Sequence, residues 1–293
     1  MKRINELFKP SKITWTGKTK ILLTENGKYV IKPKNKCIKS LHDYLLIRGF
    51  TCYPKLVDEF DSNYVYEHLE EVKMPISQKA ADMASLVSNL HNKTAHYKTI
   101  TTDYYKSIYE AIEGNISFIE DYYNKLFESI SKEEITSPAN YLLIRNSSKL
   151  IANLNFIKKE LDNWWSKVSN NNKERVVYCH NNLSVDHYIK NMEDYFISWD
   201  NYKVDSPVLD LINLYKNDYD KYDFGNFFEI YNYSFPLTDE EKKLFFIVIA
   251  LPYEIDFAVD EFNNTRRVNE LFTYLVKTEN LVRSYYTPNN KEK

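Results

Sequence analysis

Short alternating runs open the chain. Ile13-Thr14-Trp15, Lys20-Ile21-Leu22-Leu23-Thr24 and Tyr29-Val30-Ile31-Lys32 are rich in β-branched and aromatic residues, as strands are. Asn26-Gly27 between the second and third is a hairpin signal. The period then changes. Ile38, Leu41, Leu45 and Leu46 recur at helical spacing up to Gly49, a residue suited to a helix end. Phe50 to Asp58, with Pro54, reads as a connection and a short strand, Asp61-Ser62-Asn63 as a turn, and Tyr64-Val65-Tyr66-Glu67-His68-Leu69 as another strand. Residues 1–69 therefore predict a small antiparallel sheet with one helix, a β-rich first lobe.

From 70 to 293 the pattern is mostly helical. Ser77 is the expected cap for a helix whose apolar stripe is Ala80, Met83, Leu86, Val87 and Leu90. Tyr105, Ile108, Ile112, Ile116, Ile119 and Tyr123 mark a second stripe, read as core rather than as a cofactor box. Ser137 and Pro138 suit the cap and first position of one long helix reaching about Val168, with Trp164 and Trp165 as packing anchors. Further helices are predicted over Val208–Tyr215, from Asp239 to about Leu251, and from about Asp260 to Arg283, with a frayed tail at Pro288–Lys291.

One stretch interrupts the helices. Val176-Val177-Tyr178-Cys179 precedes His180-Asn181-Asn182-Leu183-Ser184-Val185-Asp186-His187, and Tyr188-Ile189 and Tyr195-Phe196-Ile197-Ser198-Trp199-Asp200 follow. The pattern reads as strand, tight polar loop, short strand, turn, strand. Polar groups packed between buried strands suit a site on a rigid scaffold. A polar surface hairpin is the plainer reading.

Composition narrows the class. With 293 residues there is room for a sizeable core and one or two domains. The 39 basic and 41 acidic residues nearly cancel, which argues against a nucleic-acid partner. Cys37, Cys52 and Cys179 have neither metal-site nor disulfide-framework spacing, as expected in a reducing compartment. The first residues lack a signal-peptide apolar region, and no apolar run approaches the roughly 18 residues of a membrane span. A cytoplasmic protein without a membrane partner is expected. The 25 tyrosines and five glycines carry no functional reading.

The order of a small β lobe, a crossing strand and a helical lobe with an embedded polar loop resembles the α+β, protein-kinase-like bilobal fold. More narrowly, it is similar to the aminoglycoside and choline phosphotransferases, including the CotS-type spore-coat kinase-like proteins. The resemblance covers about residues 10 to 255. Lys32 closes a hairpin strand as the family's phosphate-binding lysine does. Tyr66-Glu67-His68-Leu69 is similar to the hinge that meets adenine through its backbone. Leu90-His91 resembles the Leu-His pair at the end of the first large-lobe helix. His180 to Ile189 parallels His-Gly-Asp-Leu-x-x-x-Asn-Ile-Leu, Ile197-Ser198-Trp199-Asp200 parallels Ile-Asp-Trp-Glu, and Asp205 to Leu211 parallels Asp-Pro-x-x-Asp-Leu.

The resemblance implies roles position by position. Lys32, Glu67, His68 and Leu69 would hold ATP, and Mg²⁺ would be the accompanying ion. Asn182 falls at the catalytic-base position, where it cannot accept a proton as a carboxylate does; such catalysis is worth about 10²–10⁴-fold. His187 and Ser198 fall at the two metal positions, and neither replaces a charged oxygen ligand well. His180 is expected to be structural or supporting, Asp210 to buttress the loop, and His91 to be structural. Asp43 is the acid offered to Lys32 by the following helix. The turn Thr16-Gly17-Lys18-Thr19 has one glycine where the family uses several.

Three readings follow. The first is a pseudokinase kept for binding or scaffolding, with a nucleotide, small molecule or protein as partner. The second is an active small-molecule phosphotransferase using displaced carboxylates, Asp186 for metal and Asp200. The third is an α-rich interaction protein whose polar loop is incidental. The residues themselves establish no cofactor.

Overall fold

Five antiparallel strands and two packed helices make the first part of the molecule. The strands are β1 (Lys12–Thr16), β2 (Thr19–Thr24), β3 (Gly27–Pro33), β4 (Leu56–Glu59) and β5 (Asn63–Glu67), in the order β1-β2-β3-β5-β4. The computed structural model describes residues 2–286 apart from Lys18, Asn35, Asp61, Thr102, Ala258 and Val259. The tail Pro288–Lys291 thus lies outside the described residues, as do Lys18 of the first turn and Asp61 of the second.

The sheet's pleat decides what faces the cleft. Ile31 pairs with Val65 and packs with Leu22 and with Ile4 of a short helix, α1 (Lys2–Phe8), in a small separate core. Successive side chains point to opposite faces, so burying Ile31 sends Val30 and Lys32 the other way. Ile21 pairs with Val30, Val30 pairs with Tyr66, and all three line the cleft with Lys32. Gly27, at φ 129°, makes the predicted hairpin turn. The predicted helix is α2 (Ile38–Ile47); Gly49 just beyond it has φ 73°, a conformation that costs glycine no Cβ clash.

The larger part is helical. It comprises α3 (Ile76–Thr94), β6 (His96–Thr99), α4 (Asp103–Ile130), α5 (Pro138–Arg145), α6 (Ser147–Val168), β7 (Lys173–Cys179), β8 (Tyr188–Lys190), β9 (Asp194–Phe196), β10 (Lys203–Asp205), α7 (Pro207–Asp218), α8 (Phe224–Ser234), α9 (Asp239–Ala250) and α10 (Glu261–Tyr286). The stripe on α4 and the Trp164 ring are core, as predicted, and Tyr105 meets Trp164 edge-on at 5.8 Å. Among the described residues no helix is long and apolar enough to cross a membrane.

Several local expectations are corrected. Pro75, not Ser77, precedes α3, and Ser77 sits inside its first turn. Ser137 does cap a helix, accepting from Asn140 N, with Pro138 at its start. That helix is not continuous to Val168. The backbone breaks at Asn146, whose Nδ2 donates to Leu142 O and satisfies a carbonyl at the end of α5. The strand expected from Tyr195 to Asp200 stops at Phe196, and Trp199–Asn201 form a 3₁₀ turn. Helix α8 was not predicted: its Phe and Tyr residues show no clear polar face, and its cap is Asp223, accepting from Gly225 N and Asn226 N.

Candidate functional site

Helix α7 holds the polar loop from one side. Fully buried Asp210 accepts from His180 N at 2.8 Å and Asn181 N at 2.6 Å. Asn213 Nδ2 donates to Asn181 Oδ1, and Asn217 Nδ2 to Leu183 O. Asp218, also fully buried, accepts from Ser184 Oγ at 3.1 Å and Val185 N at 2.7 Å. Positions 210, 213, 217 and 218 share one helical face, so a single rigid element fixes five residues of loop. Behind it, His91 Nε2 lies 3.2 Å from Asp210 Oδ2, and His91 Nδ1 lies 2.7 Å from the Tyr231 hydroxyl. His91 is therefore a buried member of the support.

Two non-glycine residues of this region take left-handed backbone. Asn181 has φ 57° and Ser198 φ 67°. Such residues each store of order 1–3 kcal/mol of strain and persist where the surroundings over-determine them. Asn181 is fixed by the Asn213 bond and by its own Nδ2 donating to Asn201 O.

His180 lies beneath the loop. It is fully buried, its ring stands 4.6 Å from that of Trp199, and Nε2 donates to Ile197 O at 2.9 Å. Burial, opposed by the Asp210 carboxylate, holds its pKa down at about 4. This is a neutral packing residue. His187 Nδ1 donates to Asn182 O at 2.6 Å, and Asn182 Nδ2 donates to Ser198 O at 3.4 Å. Both side chains stitch the loop to the segment carrying Ser198.

The cleft itself is a cavity of about 260 Å³ between the two parts of the molecule. Ile21 and Val30 come from the sheet, and Ile189 and Ile197 from the larger part. Glu67 at the end of β5, and His68 and Leu69 just beyond it where the expected strand has already stopped, line it. Lys32 Nζ donates to Ser198 Oγ at 2.9 Å and sits 3.5 Å from Asp200 Oδ2. Lys32, Glu67, His68, Leu69, Ser198 and Asp200, singled out in the sequence, thus share one cavity. Asn182, His187, His180 and Asp186 do not line it. Asp186 turns to solvent, its side chain 77% exposed and 3.3 Å from Lys221 Nζ.

The acid expected beside Lys32 is misplaced by one position. Asp43 is exposed, whereas its neighbour His42 is buried and lines the cleft. Burial holds the His42 pKa down at about 4, so it stays neutral. The partners of Lys32 come instead from the Ser198–Asp200 segment. The sequence reading also missed Tyr66 and Trp199 as cleft walls. Strand alternation from Lys32 through its neighbours could have found Tyr66. Burial, with the Asp200 carboxylate near, pushes the Tyr66 phenol pKa up. Outside the cavity, Lys36 Nζ donates to Tyr202 O at 2.8 Å and Tyr202 OH to Cys37 O at 3.3 Å, tying the two parts together.

The donor set does not suit Mg²⁺, which wants several hard oxygen ligands. Ser198 is uncharged and its hydroxyl already accepts from Lys32. His187 offers nitrogen. Asp200 is the one carboxylate beside Lys32, and Asp186 lies elsewhere. Among the described residues no group of three or more His, Cys, Asp or Glu side chains is placed to hold a metal ion.

No protein-family model matches the sequence, and no curated protein matches it either. Solved structures do match. An aminoglycoside phosphotransferase from Alicyclobacillus acidocaldarius subsp. acidocaldarius DSM 446 is 12% identical, with 94% of this chain and 92% of that one covered and a TM-score of 0.67. An AMP-bound spectinomycin phosphotransferase is 11% identical, with 99% and 96% covered and a TM-score of 0.51. The chain has the protein-kinase-like bilobal fold of the aminoglycoside phosphotransferases, a small antiparallel lobe over a larger helical one.

Proposed function

We propose that this protein is a pseudokinase: a kinase-like nucleotide-binding protein that performs little or no phosphoryl transfer. One observation carries the reading. The lysine that would meet phosphate is hydrogen-bonded to a serine, Ser198, at the position where a metal-binding carboxylate would be needed. Asn182 supports it, since its side-chain amide is given to Ser198 O and has no basic oxygen of carboxylate strength to offer a substrate hydroxyl. The solved neighbour that holds AMP supports the choice of ligand class. Binding or scaffolding in the cytoplasm, with a protein partner reading the state of the cleft, is the role that fits such a molecule.

The test is nucleotide binding and turnover on the same preparation. Nucleotides are expected to raise the melting temperature while ATP consumption stays at background. Phosphorylation of a small molecule well above an Asp200→Ala control would refute the pseudokinase reading.

A second reading keeps phosphoryl transfer to a small hydroxylated or amino substrate through a displaced carboxylate. The position of Asp200 beside Lys32 favours it for that role over Asp186, which lies outside the cleft. It predicts activity that is lost in Asp200→Ala and untouched in Asp186→Ala.

A further inference from the structure

We infer that the cleft selects an uncharged purine nucleoside, with adenosine as the simplest case, over a metal-bound triphosphate. The inference rests on the nucleotide-cleft reading above and narrows its ligand.

Charge is the first argument. Among the described residues lining the cavity, Lys32 is the one lysine or arginine, and Asp200 and Glu67 are both acids. Asp200 Oδ2 stands 3.5 Å from Lys32 Nζ and cancels most of its field. His42 adds no positive charge at neutral pH, because burial disfavours its protonated form. A triphosphate brings about four negative charges to a cavity whose own formal charge is already negative. In a partly buried site such repulsion is poorly screened.

Hydrogen-bond capacity is the second. A lysine ammonium has three donors. Two of those on Lys32 already point to Ser198 Oγ and Asp200 Oδ2. One remains, enough for a single phosphate oxygen and far short of a triphosphate. An ion could bridge the deficit only with ligands that Ser198 and His187 do not supply. His187 does not line the cavity, and the Ser198 hydroxyl is already engaged by Lys32.

The apolar lining of the cavity, by contrast, suits a flat uncharged ring. Ile21 and Val30 of the sheet and Ile189 and Ile197 of the larger part line it. His68 lines the same cavity, and its Nδ1 is buried without a hydrogen-bond partner. A buried polar atom left unpaired is costly, and a ligand that pairs with it removes the cost. An exocyclic amino group on a purine is a donor of the right kind, held by a ring the isoleucines can cover. Apolar surface and a donor for His68 are what the cavity rewards, and a bare nucleoside brings both without the charge.

Calorimetric titration of the full chain with adenosine, AMP, ADP and ATP, each with and without Mg²⁺, tests this. The expected order is adenosine at least as tight as AMP, then ADP, then ATP. ATP should be weaker than adenosine by about tenfold or more, with no gain from Mg²⁺. Asp200→Asn should tighten AMP relative to adenosine by about tenfold, since it removes the charge that offsets Lys32. His68→Ala should weaken every ligand of the series alike. Circular dichroism of both variants guards against misfolding. ATP with Mg²⁺ binding more tightly than adenosine would overturn the inference and leave the nucleotide cleft standing. Failure of all four ligands to bind would overturn both.

Discussion

Asp210→Asn isolates the support that α7 gives the polar loop, because it removes charge without removing volume. Asp210 Oδ1 accepts from Asn181 N, and Oδ2 accepts from His180 N and faces His91 Nε2. An amide has one oxygen for these two oxygen positions. If it keeps Asn181, its NH₂ group faces the His180 N–H, and that donor is left buried and unpaired. Reversing the amide strands the Asn181 N–H instead. An unsatisfied buried donor costs about 1–3 kcal/mol, and hydrogen bonds to a charged acceptor are worth about 1.5–3 kcal/mol. Together they put the destabilisation near 3 kcal/mol. Unfolding entropy of about 2.1 cal/mol/K per residue gives about 0.6 kcal/mol/K for 293 residues, so the melting temperature should fall by about 5 °C. Scanning calorimetry measures it directly. The reasoning fails if Asp210→Asn melts within about 1 °C of the parent, since the buried carboxylate would then carry none of the assigned load.

Other expectations are equally concrete. Glu174 on β7 is buried, and its pKa is pushed up to about 7 by burial, with the Asp205 carboxylate adding to it. The native state therefore keeps a proton that the unfolded chain releases near 4.5, so stability falls as pH rises from about 4.5 to 7. The full linkage is about 3 kcal/mol, trimmed by solvent screening to about 1–2 kcal/mol. Glu174→Gln should remove that slope in urea midpoints measured across the range. His42 and His180 act in the opposite sense: both are held near 4, so the unfolded chain gains protons first and stability falls as pH drops from about 6.5 to 4. Combining Asn182→Asp with Ser198→Asp puts a carboxylate at both positions, and on the pseudokinase reading ATP turnover above the parent is expected in a coupled assay. Trp164→Ala empties a fully packed site on α6 and should cost about 3–5 kcal/mol by denaturant unfolding.

The placement of the cleft was legible in the sequence because each landmark depends on local chemistry. Lys32 closes the strand that follows an Asn-Gly turn, Glu67 to Leu69 lie at the end of a later one, and the resemblance marked both. The loop's polar residues are set between β-branched runs. What stayed hidden was set by contacts distant in sequence. Asp43 and His42 differ by one residue, and α2 alone cannot say which of them turns toward Lys32. Asp186 looks like a displaced ligand until Lys221, 35 positions away, takes it on the outer surface. The break at Asn146 was invisible because the apolar stripe runs through it and only the Leu142 carbonyl reveals the end of α5. Strand β6, exposed along its whole length, carries no alternation to read and exists because β7 offers it an edge.

The left-handed backbone at Ser198 bears on which side chains this position accepts. Serine occupies that conformation less readily than aspartate or asparagine, whose short polar side chains favour it. A carboxylate placed there would ease the backbone, and Lys32 already stands within hydrogen-bonding distance to receive it. The fold holds the seat in a shape an acid prefers. Placing an acid at this position is therefore a matter of one side chain, with no rebuilding of the chain that carries it.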